Sequence, residues 1–243
     1  KAALAASKLI NQNPASAYSF APGSTQIGFL HSLIGNHPDL TKAQIFSLNE
    51  FFGMLPGFYS YSVFDFLYHN LLKPLNTGID NFNYLDWQTS TPARTTREYN
   101  DLLSKHRRRL QILGIGPDGD IGLNFPYSAY DSQSRLVALS KENKESSIAK
   151  FNNNIDHVPF WAMTMGLDNI INPKQTDEIF LLSSKHHEAV AKALWGPVTE
   201  QHPSSLLQLH PKVTFFIDRA LYKEALEYAG RNHLVINWKK IQK

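Results

Sequence analysis

The segment Leu113-Gly114-Ile115-Gly116-Pro117-Asp118-Gly119-Asp120-Ile121-Gly122-Leu123-Asn124-Phe125-Pro126 constrains this chain more than any other. A largely apolar run, Leu110 to Leu113, enters a turn that carries three glycines (Gly114, Gly116, Gly119) and two carboxylates, Asp118 and Asp120. Glycine lets the backbone take positive φ and approach a ligand closely. Carboxylates just past the C-terminal end of a strand lie where open α/β sheets bind their ligands.

The rest of the chain alternates helix and strand signals. Helical patterns cover Lys1 to Asn11, Ile27 to Ile34, Ser60 to Leu72, Thr91 to Lys105, His186 to Trp195 and Ala220 to Tyr228. Strand patterns cover Ala17 to Phe20, Gln44 to Leu48, Leu110 to Leu113, Arg135 to Leu139, Phe160 to Met165, Glu178 to Leu182, Lys212 to Ile217 and Leu234 to Trp238. Lys141 to Asn154 reads as a polar stretch. Strands separated by helical segments of about 10–15 residues predict an α/β fold: a three-layer, open, mostly parallel twisted sheet with helices on both faces, Rossmann-like in plan. No linker divides residues 1–243, and a single domain is expected.

Composition narrows the function classes. A net charge of +3 is too small to imply nucleic acid, and no apolar run reaches the roughly 18 residues that a membrane helix needs. The absence of cysteine excludes disulfides and thiolate metal sites. Position 1 is Lys rather than Met, so the natural N-terminus, with the first strand of the fold, is expected to be missing from this sequence.

Two further segments carry chemistry. Ala21-Pro22-Gly23-Ser24-Thr25 is a glycine turn between a strand and a helix, where backbone N–H groups and hydroxyls suit a phosphate. The bland alternative is helix capping by Ser24 or Thr25. Ile45 to Gly53 places Asn49 and Glu50 directly after an apolar strand. Asn49 cannot accept a proton at any useful pH, and Glu50 is the neighbouring carboxylate. Asp118 and Asp120 either share acid–base work or hydrogen-bond the turn they sit in. Lys105 to Arg109 is read as a solvated basic face at a helix end. His186, His187, His202 and His210 lack metal-ligand spacing, and the Tyr59, Tyr61, Phe64, Tyr68 stripe is read as core. No cofactor and no metal are implied.

The glycine segment resembles the signature of the glucosamine-6-phosphate deaminase/isomerase family, Gly-x-Asp-Gly-His-Ile-Ala-Phe-Asn-Glu-Pro, and less closely that of the related 6-phosphogluconolactonases. Val158-Pro159 with Ala162 to Gly166, and Leu207-Gln208-Leu209-His210-Pro211, resemble the deaminases further. The resemblance runs from Lys1 to about Asp218 and implies a hexose phosphate as the small-molecule partner, held by Gly23, Ser24 and Thr25 with Lys185 or His186 as counter-charge. It implies catalytic positions at Asp118, Asp120 and the Asn49–Glu50 segment. The departures fall on those positions. The family's enolisation base, an Asp, is Asn49; its ring-opening His is Asp120; the Glu that orients that His is Phe125; the Pro of its phosphate loop is Gln26; and its active-site Arg falls near Ala149 and Lys150. Ser128 and Arg135 match an allosteric sugar-phosphate set whose third member falls on Val137, so allostery is not expected. The implied protein is a cytoplasmic sugar-phosphate-binding member of carbohydrate metabolism, its deaminase activity reduced or lost, with self-association into a homo-oligomer left open. The alternatives are a lactonase-like hydrolase and a non-catalytic sugar-phosphate sensor.

Overall fold

Parallel strands covered by helices on both faces are buried on both faces, and two strands here are buried at every position. Ala17–Phe20 (β1) and Ile179–Ser183 (β8) are buried throughout. The computed structural model describes residues 1–236. The remaining strands are β2 (Gln44–Ser47), β3 (Asn49–Phe52), β4 (Phe82–Asn83), β5 (Arg108–Leu113), β6 (Arg135–Ala138), β7 (Trp161–Thr164) and β9 (Val213–Ile217). Six of them form one sheet in the order β4-β2-β1-β5-β8-β9, every neighbouring pair parallel. Tyr18 is level with Ile45 on one side and Leu110 on the other.

Side chains of this sheet sort strictly by face, as the two-residue period of a strand requires. Tyr18, Phe20, Ile45, Leu110, Ile112, Phe180 and Leu182 pack with α1 (Ala2–Gln12), α2 (Ser24–Ile34) and α3 (Val63–Leu67). Ala17, Phe46, Leu113, Ile179 and Leu181 pack on the other face with α4 (Pro92–Lys105) and α6 (Leu167–Ile171). The short α5 spans Lys141–Ser147, and α7 (His187–Trp195) packs on α8 (Arg219–Arg231) through Val190, Ala191, Leu221 and Ala225. The three layers expected from the sequence are present. Among the described residues, no helix is long and apolar enough to cross a membrane.

Several expectations need correction. A second, antiparallel sheet of order β3-β7-β6 lies beside the first, with Asn49 opposite Thr164 and Arg135 opposite the same residue. Its first strand was unreadable because Asn49 and Glu50 break the apolar pattern and the pairing partner lies far along the chain. The helix expected over Ser60 to Leu72 changes pitch instead: a tight turn at Tyr59–Tyr61, α3, then a wide turn at Tyr68–Leu72. Within its aromatic stripe Phe64 and Tyr68 pack on the core, whereas Tyr59 and Tyr61 are exposed. α2 starts at Ser24, and the polar stretch after Ser140 forms α5. Of the strand expected over 234–238, Leu234 to Ile236 form no strand and the rest lies outside the described residues.

The basic cluster is not a uniformly solvated face. Arg108 is fully buried, and its guanidinium donates to the carbonyls of Leu103, His106 and Asn169 and to Thr176 Oγ1. Burial lowers its pKa to about 10. Arg107 and Arg109 both pair with Asp177 nearer the surface. Arg108→Ala is expected to lower the unfolding free energy by at least about 3 kcal/mol, since three carbonyls lose their donor at about 1–3 kcal/mol each. Arg107→Ala breaks an exposed ion pair and is expected to cost no more than about 1 kcal/mol. Urea unfolding of the two variants checks the contrast.

Candidate functional site

Because all six strands of the main sheet run the same way, their C-terminal ends share one edge, the edge at which such sheets bind ligands. β1 leads there into Pro22 and Gly23, β2 into Asn49, β5 into the glycine turn and β8 into Lys185 and His186. Gly23, at φ +142°, is the N-cap of α2, and among the described residues no side chain caps that helix. The capping alternative for Ser24 and Thr25 is therefore not realised, and their hydroxyls stand beside the N–H groups of the first turn, of which Gln26 N donates to Gly23 O at 3.1 Å.

Gln26 joins this loop to the glycine turn. The side chain is buried, and a Cβ added to Gly23 would come 2.7 Å from its Oε1 while one added to Gly114 would come 2.6 Å from its Nε2. In sequence Gln26 registered only as a departure from the family pattern; its place between two loops follows from the tertiary structure.

The turn itself is built around close approaches. The Asp120 carboxyl lies over Gly116, and the His202 ring lies over Gly119, so that any side chain at either glycine would overlap them. Gly119 also sits at φ +82°, in the left-handed region that suits glycine. Gly116 N donates to Asp120 O at 3.0 Å, and Ser204 N donates to Gly119 O at 2.9 Å. Asn124 Nδ2 donates to the carbonyls of Ile121 and Met165, both at 2.9 Å, and Thr164 Oγ1 donates to Gly122 O. The turn is thereby tied to β7 and to the helical segment Pro203–Leu209.

Asp118 is the electrostatic centre of this edge. Burial, and then the neighbouring Asp118 carboxyl, hold Asp120 well above the usual carboxylate range. Burial lowers the pKa of His202, against which the Asp118 charge works in the opposite sense. The same opposition acts on His186, lowered by burial and by Lys185 and raised by Asp118. Sequence spacing tests His202 only as a metal ligand. Its ring instead packs on the turn, with Nε2 3.0 Å from Ala189 O, and no local signal in the sequence announces that contact.

Asn49 and Glu50 have different surroundings. Glu50 is fully buried, and its carboxylate accepts three backbone N–H bonds of 2.8 Å, from Phe51 and Val63 at Oε1 and from Phe64 at Oε2. Burial pushes its pKa up to about 8 against those donors. Glu50 thus fastens the start of α3 to β3. The Asn49 side chain makes no hydrogen bond among the described residues and borders a cavity of about 490 Å³. Gly23, Phe51, Val63, Phe66 and Leu123 are among the residues that enclose it.

Of the remaining expected residues, Lys185 is exposed and His186 caps α7 at φ +65°. Arg135 donates to Asn124 Oδ1 at 2.8 Å and to Ser128 Oγ at 3.1 Å, so those two candidates pair with each other. The side chain of Lys150 lies outside the described residues.

No protein-family model matches the chain. Individual relatives do. A glucosamine-6-phosphate deaminase of Clostridium novyi (strain NT) is 32% identical, over 88% of this chain and 91% of the relative. That of Streptococcus pneumoniae (strain 70585) is 34% identical, over 85% and 86%. The chain belongs to the glucosamine-6-phosphate deaminase family. Among solved structures, a monomeric glucosamine-6-phosphate deaminase superposes with a TM-score of 0.84 at 28% identity, covering 93% of each chain. A 6-phosphogluconolactonase from Shewanella baltica OS155 superposes with a TM-score of 0.66 at 17% identity over 88% and 90%, a likeness of fold.

Within this deaminase-family site, the altered positions differ in character. Asn49 is neutral and open to the cavity. Asp120 is buried, with Oδ1 unpartnered among the described residues. Phe125, where the family signature has Glu, offers no polar group.

The Asp120 pKa has a measurable consequence. An aspartate in an unfolded chain titrates near 3.9, and the folded value is raised. Between those two values the folded state holds the extra proton, so stability falls as pH rises across the window. Asp120→Asn mimics the protonated acid and removes the decline. Its urea midpoint is expected to exceed that of the wild type at pH 8, with the gap closing as the pH approaches 4.

Proposed function

We propose that the chain binds a hexose phosphate in this cleft and that the deaminase reaction of its relatives is reduced or lost. Asn49 carries the reading. It stands where the family resemblance places the proton-abstracting Asp, and an amide cannot accept that proton. A positioned general base contributes roughly 10²–10⁴ in rate. Asp120 does not restore the missing His: its carboxyl is buried over Gly116, and burial with the Asp118 carboxyl beside it holds its pKa well above the usual carboxylate range. Two missing groups compound, because each acts at its own step.

Phosphate binding is supported by the uncapped start of α2, by the hydroxyls of Ser24 and Thr25, and by Lys185 and His186 at the same sheet edge. Glu50 then serves as a positioning residue for the cavity wall, and Asp118 sets the charge of the glycine turn.

The purified protein incubated with glucosamine-6-phosphate is expected to release no ammonia above background. Release at about 1 s⁻¹ or faster, the low end of ordinary turnover, would overturn the loss of activity. In calorimetry, glucose-6-phosphate is expected to bind the wild type and to bind Ser24→Asp at least tenfold more weakly, since the new carboxylate opposes the anion. Equal affinity in the two proteins would move the phosphate seat elsewhere.

A further inference from the structure

We propose that the preferred occupant of this cleft is an N-acylated amino-sugar phosphate, its acyl amide on Asn49 and its acyl chain in the adjoining cavity; this rests on the phosphate-binding reading above. The choice of ligand class turns on what surrounds the cavity. A free amino sugar carries an ammonium near neutral pH, and burying a cation without a partner is strongly unfavourable. The cavity lining includes two carboxylates, Glu50 and Asp65. Both Glu50 oxygens are occupied by the N–H groups of Phe51, Val63 and Phe64. Asp65 is paired with His69 at 3.4 Å. Glu50 thus already carries three backbone donors, and Asp65 stands beside the His69 ring.

Asn49 offers the opposite chemistry. Its carboxamide has a donor and an acceptor, both unused among the described residues, and it borders the same space as Gly23 at the start of α2. A trans secondary amide turns its N–H and C=O to opposite sides, so the Asn49 carboxamide meets one of them with one hydrogen bond. Beyond Asn49, Ile27, Phe51, Val63, Phe66 and Leu123 form an apolar stretch of a wall that is polar elsewhere. That surface gains from an acyl chain and not from a sugar hydroxyl. Each methylene buried there is worth about a fourfold gain in affinity.

The test is calorimetry on the full chain with glucose-6-phosphate, glucosamine-6-phosphate, its N-acetyl and N-butyryl derivatives, and unphosphorylated N-acetylglucosamine. N-acetylglucosamine-6-phosphate is expected to bind at least tenfold more tightly than glucosamine-6-phosphate, and the N-butyryl derivative more tightly still. Asn49→Asp is expected to erase or invert the preference. Ile27→Trp, at a half-exposed position on the cavity rim, is expected to shrink it at least fivefold. Equal or tighter binding of the free amine overturns the proposal and leaves the phosphate-binding reading intact, as does a preference that neither variant alters. If no phosphorylated sugar binds, or the unphosphorylated sugar binds equally well, the phosphate-binding reading falls and this one with it.

Discussion

Side chains from other parts of the chain lie directly on the glycines of the turn after β5. His202 covers Gly119, Asp120 folds back over Gly116, and Gln26 reaches Gly114 from α2. Close packing of this kind leaves no slack. The loop after β1, the turn after β5 and the segment around His202 are therefore joined, and the sheet edge behaves as one body rather than as separate loops. An alanine at Gly119 would force both a disfavoured backbone and a collision with an imidazole ring, so the constraint acts on conformation and volume together.

The same packing shapes the charge of the edge. Asp118 and Asp120 count as two negative charges in the sequence, but burial and then the neighbouring carboxyl hold the pKa of Asp120 well above the usual carboxylate range. The turn is consequently less acidic than its composition indicates. That matters beside the uncapped start of α2, where the N–H groups and the helix dipole favour an anion. Replacing the family's His with a carboxylate would burden such a site if the carboxylate stayed ionised. Burial and the Asp118 carboxyl, which raise the Asp120 pKa, lessen that burden.

Much of the fold was legible because hydrophobic periodicity reports burial. β1 was read to the residue, and the main sheet's alternate faces follow from the order of apolar residues in β1, β2, β5 and β8. What escaped was decided by long-range contacts. β3 exists because β7 pairs with it, and nothing within Asn49–Phe52 announces that partner. Arg108 looks like its exposed neighbours in sequence, yet it is the member of the basic cluster that points inward onto backbone carbonyls. In the site, the positions of Asn49 and the glycine turn followed from strand ends alone, whereas the roles of Gln26, Glu50 and His202 depended on which elements pack against them. Glu50 shows the difference plainly. Its type and place suggested a base, and its three N–H donors make it a clasp.

One corner of the architecture bears on how such a site changes over time. Leu48 alone separates β2, in the parallel sheet, from β3, in the antiparallel one. The backbone of Asn49 is thus held by its pairing with β7 on one side and by the end of the main sheet on the other. Asparagine and aspartate have nearly the same shape, so exchanging them at this anchored corner rewrites the chemistry while leaving the scaffold untouched. At such a corner the chemistry of one position can change without any change in the fold that holds it.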